Sequence, residues 1–340
     1  MLYIRADGNS EIGTGHIMRC LSIANAVRQS GGDCIFITAD KSLESLLAEQ
    51  GFQIICLDSV WNDLDKETVK MERLIAERKI VRLLIDSYFV TSDYLNRLRS
   101  LTRIAYIDDL DVFRYPCDLL INYNIYAGKF NYPVRYPDTM LLLGCKYVPL
   151  REEFQDLPAR EIHSSAKSVL ITTGGGDPYN VAGKLTERLK RDTSLCELNI
   201  HIVAGLFNSN LPLLRSLEEN FPSVMIHRNV RHMSALMISC DIAISAGGST
   251  LYELCSCGIP STIFAWANNQ LDAVATFSEG YMLGAGDYRE DKAACLDKLV
   301  ANIVRLSEDF SLRREVSANC RALVDGRGAE RVAVALSEIT

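Results

Sequence analysis

Leu2-Tyr3-Ile4-Arg5-Ala6, followed by Gly13-Thr14-Gly15-His16-Ile17-Met18-Arg19, is an apolar run feeding a glycine turn that opens into a helix. Beyond the turn, Ile17, Cys20, Leu21, Ala24 and Val27 keep the i, i+3/i+4 spacing of one buried face. Gly31-Gly32 closes that helix, and a second apolar run follows at Cys34–Thr38. Strand, helix, strand is the repeating unit of a parallel α/β sheet. In such units the strand-to-helix turn is where anions bind. Glycine lets the backbone approach a ligand, and the first N–H groups of a helix have no internal partner. His16 stands in that turn.

The pattern continues outward. Strand-like runs are expected at Phe52–Leu57, Arg82–Asp86, Ile104–Asp108, Leu119–Asn122 and Met140–Leu143, with helices at Ser42–Gln50, Lys66–Arg78 and Ser92–Ser100. A second series starts at Lys167–Thr172 and runs through Asn199–Val203, Val224–His227, Ile242–Ser245 and Ser261–Phe264, with helix-length segments between them. The polar stretch Arg151–Ser165, with Pro158 and His163, reads as a linker. The expected fold class is therefore α/β: two Rossmann-like, doubly wound parallel-sheet domains, residues 1–155 and 156–340, facing a cleft. Periodicity leaves open whether the last helix, about residues 329–339, crosses back onto the first domain.

Composition bounds the partners. The chain has 340 residues, enough for two ordinary cores, and is 48% hydrophobic and 23% charged, as globular proteins are. A net charge of -7 argues against nucleic acid, whose phosphates need a basic face. It leaves room for a small phosphorylated ligand. No run approaches the roughly 18 apolar residues of a membrane span. Eleven scattered cysteines without CxxC pairs, and a first strand with no basic leader before it, suggest free thiols in the cytoplasm. Cys255 and Cys257 are two apart, so on a helix they face different sides and suit core packing better than a metal. Neither a metal nor a cofactor is expected.

Four clusters fall at strand ends. At Gly13–Arg19 a dinucleotide fingerprint would want a third glycine where Met18 stands. A nicotinamide site, with Asp40 as its ribose acid, is thus the weaker reading. His16, Arg19 and the amides of Gly13 and Gly15 suit an anionic ligand and proton transfer. The plainer alternative is a histidine that caps its own helix turn. At Asp86-Ser87-Tyr88 a carboxylate and a phenol end a strand, unless Asp86 only caps the next turn. Gly174-Gly175-Gly176-Asp177-Pro178 lacks the Lys-Ser/Thr of a P-loop, and permits either close backbone approach to a ligand or contact between domains. The fourth is Ser245-Ala246-Gly247-Gly248-Ser249-Thr250-Leu251-Tyr252-Glu253. Gly247, Gly248, Ser249 and Thr250 form an anion cradle, and Glu253 lies one turn in, where a carboxylate can accept both hydroxyls of a ribose. Thr250 and Glu253 also spell a capping box. Asn268-Asn269-Gln270 after the next strand offers neutral groups for sugar hydroxyls and acetamido groups. Asp108-Asp109 is a poor Mg²⁺ pair, because neighbours on a strand face opposite sides.

Gly-Gly-Ser-Thr-x-x-Glu with a following Asn-Gln resembles the nucleotide domain of MurG-like glycosyltransferases of the GT-B fold. The Gly-x-Gly-His-Ile-x-Arg opening narrows the likeness. So do Ile85-Asp86-Ser87-Tyr88, Asp108-Asp109, Cys117–Asn122, Leu150–Phe154 and the Gly-Gly-x-Asp-Pro loop. Together these resemble the UDP-2,4-diacetamido-2,4,6-trideoxy-β-L-altropyranose hydrolases (PseG), which act in pseudaminic acid biosynthesis for flagellar and surface glycans. The resemblance implies removal of UDP by water, with no sugar acceptor and no cofactor. It further implies that His16 is the general base, Tyr88 and Asn269 lie near the sugar, and Glu253 binds the ribose. The rival readings are a MurG-type glycosyltransferase, a UDP-sugar 2-epimerase and a non-catalytic nucleotide-sugar-binding protein.

Overall fold

The computed structural model describes residues 1–9, 11–205 and 208–339. It divides into two compact units, Met1–Arg151 with Arg327–Thr340, and Glu152–Gly326.

The first unit is a seven-stranded, all-parallel sheet. Its strands are β1 (Leu2–Ala6), β2 (Cys34–Thr38), β3 (Gln53–Cys56), β4 (Arg82–Asp86), β5 (Arg103–Ile107), β6 (Leu119–Asn122) and β7 (Met140–Leu143), in the spatial order β3-β2-β1-β4-β5-β6-β7. The intervening helices are α1 (Gly15–Gln29), α2 (Glu44–Glu49), α3 (Thr68–Arg78), α4 (Ser92–Arg99) and the single turn α5 (Tyr132–Arg135). Every residue of β1, β2 and β6 is buried, as strands covered on both faces must be. One core layer gathers Tyr3, Ile37, Leu83, Ile85, Tyr94 and Leu98 between the sheet and α3 and α4.

The second unit has six parallel strands in the order β10-β9-β8-β11-β12-β13. They are β8 (Ser168–Thr172), β9 (Asn199–Ala204), β10 (Val224–Arg228), β11 (Ile242–Ala246), β12 (Ser261–Ala265) and β13 (Leu283–Asp287). Its helices are α6 (Val181–Arg191), α7 (Leu211–Asn220), α8 (Met233–Ser239), α9 (Thr250–Cys257), α10 (Leu271–Phe277), α11 (Lys292–Glu308) and α12 (Phe310–Leu323).

The passage between units departs slightly from the sequence reading at its start and settles at its end the crossing that periodicity left open. The chain enters the second unit at Glu152, earlier than the 155/156 boundary read from sequence. The stretch expected to be a linker is strapped down by backbone-directed bonds. Arg321 donates to the carbonyls of Leu157 and Pro158, Arg313 to those of His163 and Ser164, and the Ser256 hydroxyl to that of Phe154. Glu153 accepts from the Ser234 N–H and hydroxyl. The last helix, α13 (Gly328–Glu338), belongs to the first unit. There Ala329 and Ala333 pack on Ala26 of α1, and Arg331 donates to the Lys146 carbonyl.

Both sheets wind outward in two directions from one internal pair of strands. In the first unit that pair is β1 and β4, registered Ala6 opposite Asp86. In the second it is β8 and β11, registered Thr172 opposite Ser245. Loops leaving the carboxyl ends of such pairs diverge, and the crevice they leave is where open α/β sheets hold ligands.

Candidate active site

At the first unit's switch point, the loop after β1 folds on itself before the helix starts. Asn9 and Gly13 exchange backbone hydrogen bonds, while the Asn9 carboxamide oxygen accepts from the N–H of Glu11 and Ile12. Gly13 sits at φ +75, in the left-handed region that glycine adopts freely. Helix α1 then opens at Gly15 with Thr14 before it and no side-chain cap. The N–H groups of Gly15, His16 and Ile17 find no acceptor among the described residues. No acid occupies this first turn, so the positive end of the helix dipole is left uncompensated.

His16 does not cap its own turn. Its Nδ1 lies 2.7 Å from Oδ1 of Asp86, at the end of β4. A carboxylate only accepts, so Nδ1 carries the hydrogen and donates it, leaving the lone pair on Nε2. Nε2 has no partner among the described residues, and the ring is 6% exposed. Tyr88 packs edge-on against it, ring centroids 4.6 Å apart at 77°. Burial, then the neighbouring Asp109, push the Tyr88 hydroxyl well above its usual range. It stays protonated and donates to Asp109 Oδ2 at 2.8 Å. Burial alone would raise the Asp86 carboxyl, but Arg19 and His16 outweigh it and hold it well below the usual carboxylate range. Asp86 is therefore a fixed negative charge behind the imidazole.

Arg19, expected at a ligand, is engaged by side chains of its own unit. Its guanidinium grips Asp86, Asp109 and the Tyr123 hydroxyl, and the residue is 9% exposed. Asp109, weighed in the sequence only as half of a metal pair, proves to be the second anchor and also accepts from Asn124. Its neighbour Asp108 faces elsewhere, accepting from the Tyr132 hydroxyl and the N–H groups of Leu110 and Asp111. Both lie in the loop just past the end of β5, so it is the turn there, not the strand alternation expected from sequence, that parts them. No group of three or more metal-ligating side chains occurs among the described residues.

At the second unit's switch point the backbone is what is presented. Gly247 ties down by donating to the Phe264 carbonyl. A Cβ there would lie 2.6 Å from the Val274 side chain and 3.1 Å from the Gln270 carbonyl, so only glycine fits between β11 and α10. Gly248 and Ser249 are exposed, and the N–H groups of Ser249 and Thr250 have no acceptor among the described residues. Helix α9 starts at Thr250 with Ser249 before it and no side-chain cap bond. Glu253, half-buried, lies in its first turn. A capping box needs its acid three residues after the cap, and from Ser249 that position is Tyr252. In the loop after β8, Gly174 is exposed at φ +86 and Gly175 half-buried. Asp177 of that loop is structural, because its carboxylate accepts the N–H of Val181 and Ala182 and closes the start of α6. After β12, Asn269 is exposed, whereas Gln270 is buried with its carboxamide oxygen accepting from Trp266 N–H. Gln270 thus shapes the loop.

The expected residues therefore fall into two groups. His16, Arg19 and Tyr88, with Gly13 and Gly15, gather at one switch point. Gly174, Gly175, Gly247, Gly248, Ser249, Thr250, Glu253, Asn269 and Gln270 line the loops beside the other. Sequence reasoning missed Tyr123 and Asn124 and the anchoring role of Asp109, because Arg19, which Asp109 and Tyr123 meet, lies 90 and 104 residues away along the chain.

No family model matches the chain. It is 26% identical to the spore coat polysaccharide biosynthesis protein SpsG of Bacillus subtilis, over 99% of this chain and 97% of that protein. It is also 26% identical to the UDP-2,4-diacetamido-2,4,6-trideoxy-beta-L-altropyranose hydrolase of Campylobacter jejuni, over 73% of this chain and 85% of that enzyme. Among solved structures, MurG of Acinetobacter baumannii superposes with a TM-score of 0.73 at 15% identity, over 99% of both chains. Two parallel-sheet α/β units of this order are the GT-B fold. The hydrolase resemblance read from the motifs is supported by these relatives. No helix among the described residues is long and apolar enough to cross a membrane.

Proposed function

We propose that the protein is a UDP-sugar hydrolase that releases UDP from UDP-2,4-diacetamido-2,4,6-trideoxy-β-L-altropyranose in pseudaminic acid biosynthesis. His16 acts as general base: Nε2 takes a proton from water while the water oxygen bonds to the anomeric carbon. The bond from that carbon to the UDP oxygen breaks, and its electron pair leaves on UDP. Single displacement inverts the centre through an oxocarbenium-like transition state. Asp86 accepts the Nδ1 hydrogen and stabilises the imidazolium that forms. UDP is a good leaving group, so no general acid is required. The amides of Ser249 and Thr250 take up the charge growing on the diphosphate, Glu253 holds the ribose hydroxyls, and Tyr88 and Asn269 contact the sugar.

The observation that carries this reading is the 2.7 Å contact of His16 with Asp86 at a switch point. A module that only bound nucleotide sugars would gain nothing from a carboxylate-oriented imidazole with a free Nε2. A glycosyltransferase of the MurG type is the second reading, favoured by the fold itself, in which the same base would deprotonate an acceptor hydroxyl. A panel of UDP-sugars incubated without acceptor, followed by NMR, separates the readings. Release of UDP and free sugar supports the hydrolase, whereas turnover only on adding an acceptor supports the transferase.

A further inference from the structure

One buried guanidinium holds both side chains of the first unit's site. Arg19 Nε and Nη2 reach the two oxygens of Asp86 at 2.6 and 2.5 Å, and Nη1 reaches those of Asp109 at 3.1 and 2.9 Å. Asp86 takes His16 Nδ1, Asp109 takes the Tyr88 hydroxyl, and the two rings touch edge to face. The contacts close into a ring: His16, Asp86, Arg19, Asp109, Tyr88 and back to His16.

We infer that Arg19 is a positioning residue that fixes the Nδ1–H tautomer of His16 and seats Tyr88 against it, by clamping two carboxylates at once. Three features support this. His16 and Arg19 are three apart in α1, on one helix face, so a single helix delivers both the base and its clamp. Arg19 Nη2, which carries two hydrogens, donates to Asp86 Oδ1 at 2.5 Å and also lies 3.1 Å from His16 Nδ1, farther than the 2.7 Å that separates Nδ1 from that same oxygen. It thereby pins that oxygen where Nδ1–H must donate. Finally, two carboxylates share one guanidinium, so the ring carries a formal charge of −1 with neutral imidazole and zero once Nε2 takes a proton. Both carboxylates are thereby held in place by the same buried guanidinium. Guanidinium is suited to the task because its planar fork serves two acceptors in fixed geometry, which an ammonium cannot.

The consequence for turnover rests on the hydrolase reading, but the tautomer does not. The test is therefore ¹⁵N NMR of the imidazoles beside UDP-sugar kinetics, on wild type, Arg19→Lys and Asp109→Asn, with the His16 signal assigned by its loss in His16→Asn. Wild type is expected to show the Nδ1–H tautomer. Arg19→Lys should show mixed tautomers and a kcat lower by about 10–100-fold, the usual cost of losing an orienting partner, with KM changed by less than about threefold. Asp109→Asn keeps the Asp86–Arg19 pair and should keep the tautomer while lowering kcat roughly tenfold. It carries the test if Arg19→Lys does not fold. Unchanged tautomer and kcat in Arg19→Lys, or unchanged kcat in Asp109→Asn, would overturn the inference. A rise in KM alone would return Arg19 to ligand contact. A tautomer shift in an enzyme that releases no UDP from any UDP-sugar would sink the hydrolase reading and leave the clamp standing.

Discussion

The two switch points occupy the same topological position and present opposite chemistry. In the first unit, side chains do the work: a histidine, two carboxylates, an arginine and a tyrosine interlock with little exposure. In the second, the backbone does it: exposed Gly248 and Ser249 offer amides, with Glu253 half-buried one turn in. A doubly wound sheet supplies only a crevice. What fills it gives the first unit an interlocked side-chain network and the second a stretch of exposed amides.

If that contrast is right, the largest effect belongs to the interlocked side. His16→Asn should lower kcat by about 10²–10⁴-fold, the range for a positioned base, while calorimetry finds UDP binding nearly unchanged. Glu253→Ala should do the reverse, weakening UDP about 10–100-fold with kcat at saturation little altered, since hydrogen bonds to a charged group are worth roughly 1.5–3 kcal/mol. Equal loss of kcat in both variants would erase the division of labour.

Smaller effects sharpen it through stability. Gly247→Ala must push into Val274 and the Gln270 carbonyl, and should cost about 1–3 kcal/mol in denaturant unfolding. Gly248→Ala meets nothing within 4 Å and should unfold like wild type. The smallest effect is in pH dependence. Because the Asp86 carboxyl is held below its unfolded value near 4, its contribution is fully present above that pH and is lost as pH falls toward the folded value. Asp86→Asn should therefore flatten the decline in stability below about pH 4, measured by urea unfolding at pH 6 and pH 3. A decline as steep as wild type's would show that Asp86 is not the group titrating.

Much of this was legible in the sequence, for physical reasons that can be named. β1, β2, β4, β6 and β7 occur at the residues expected, because buried parallel strands are continuous apolar runs with sharp ends. β13 was missed: Leu283-Gly284-Ala285-Gly286-Asp287 has no β-branched residue, and its pairing with β12 shifts register between Ile263 and Ala265. The turn glycines located His16, Gly247 and Glu253 without any tertiary information. The anchoring of Arg19 was not legible because its partners Asp86 and Asp109 lie 67 and 90 residues away, and a cation beside a glycine turn looks the same whether it faces a ligand or a carboxylate. That the linker is tied down was hidden for a similar reason, since the arginines that bind its carbonyls come from α12.

Hydrolysis of the UDP-sugar in ¹⁸O-water tests the central claim most directly. The account predicts one ¹⁸O on the anomeric carbon of the released sugar, with inverted configuration and none in UDP, and loss of this reaction in His16→Asn. Label appearing in UDP, or wild-type turnover in His16→Asn, would contradict it.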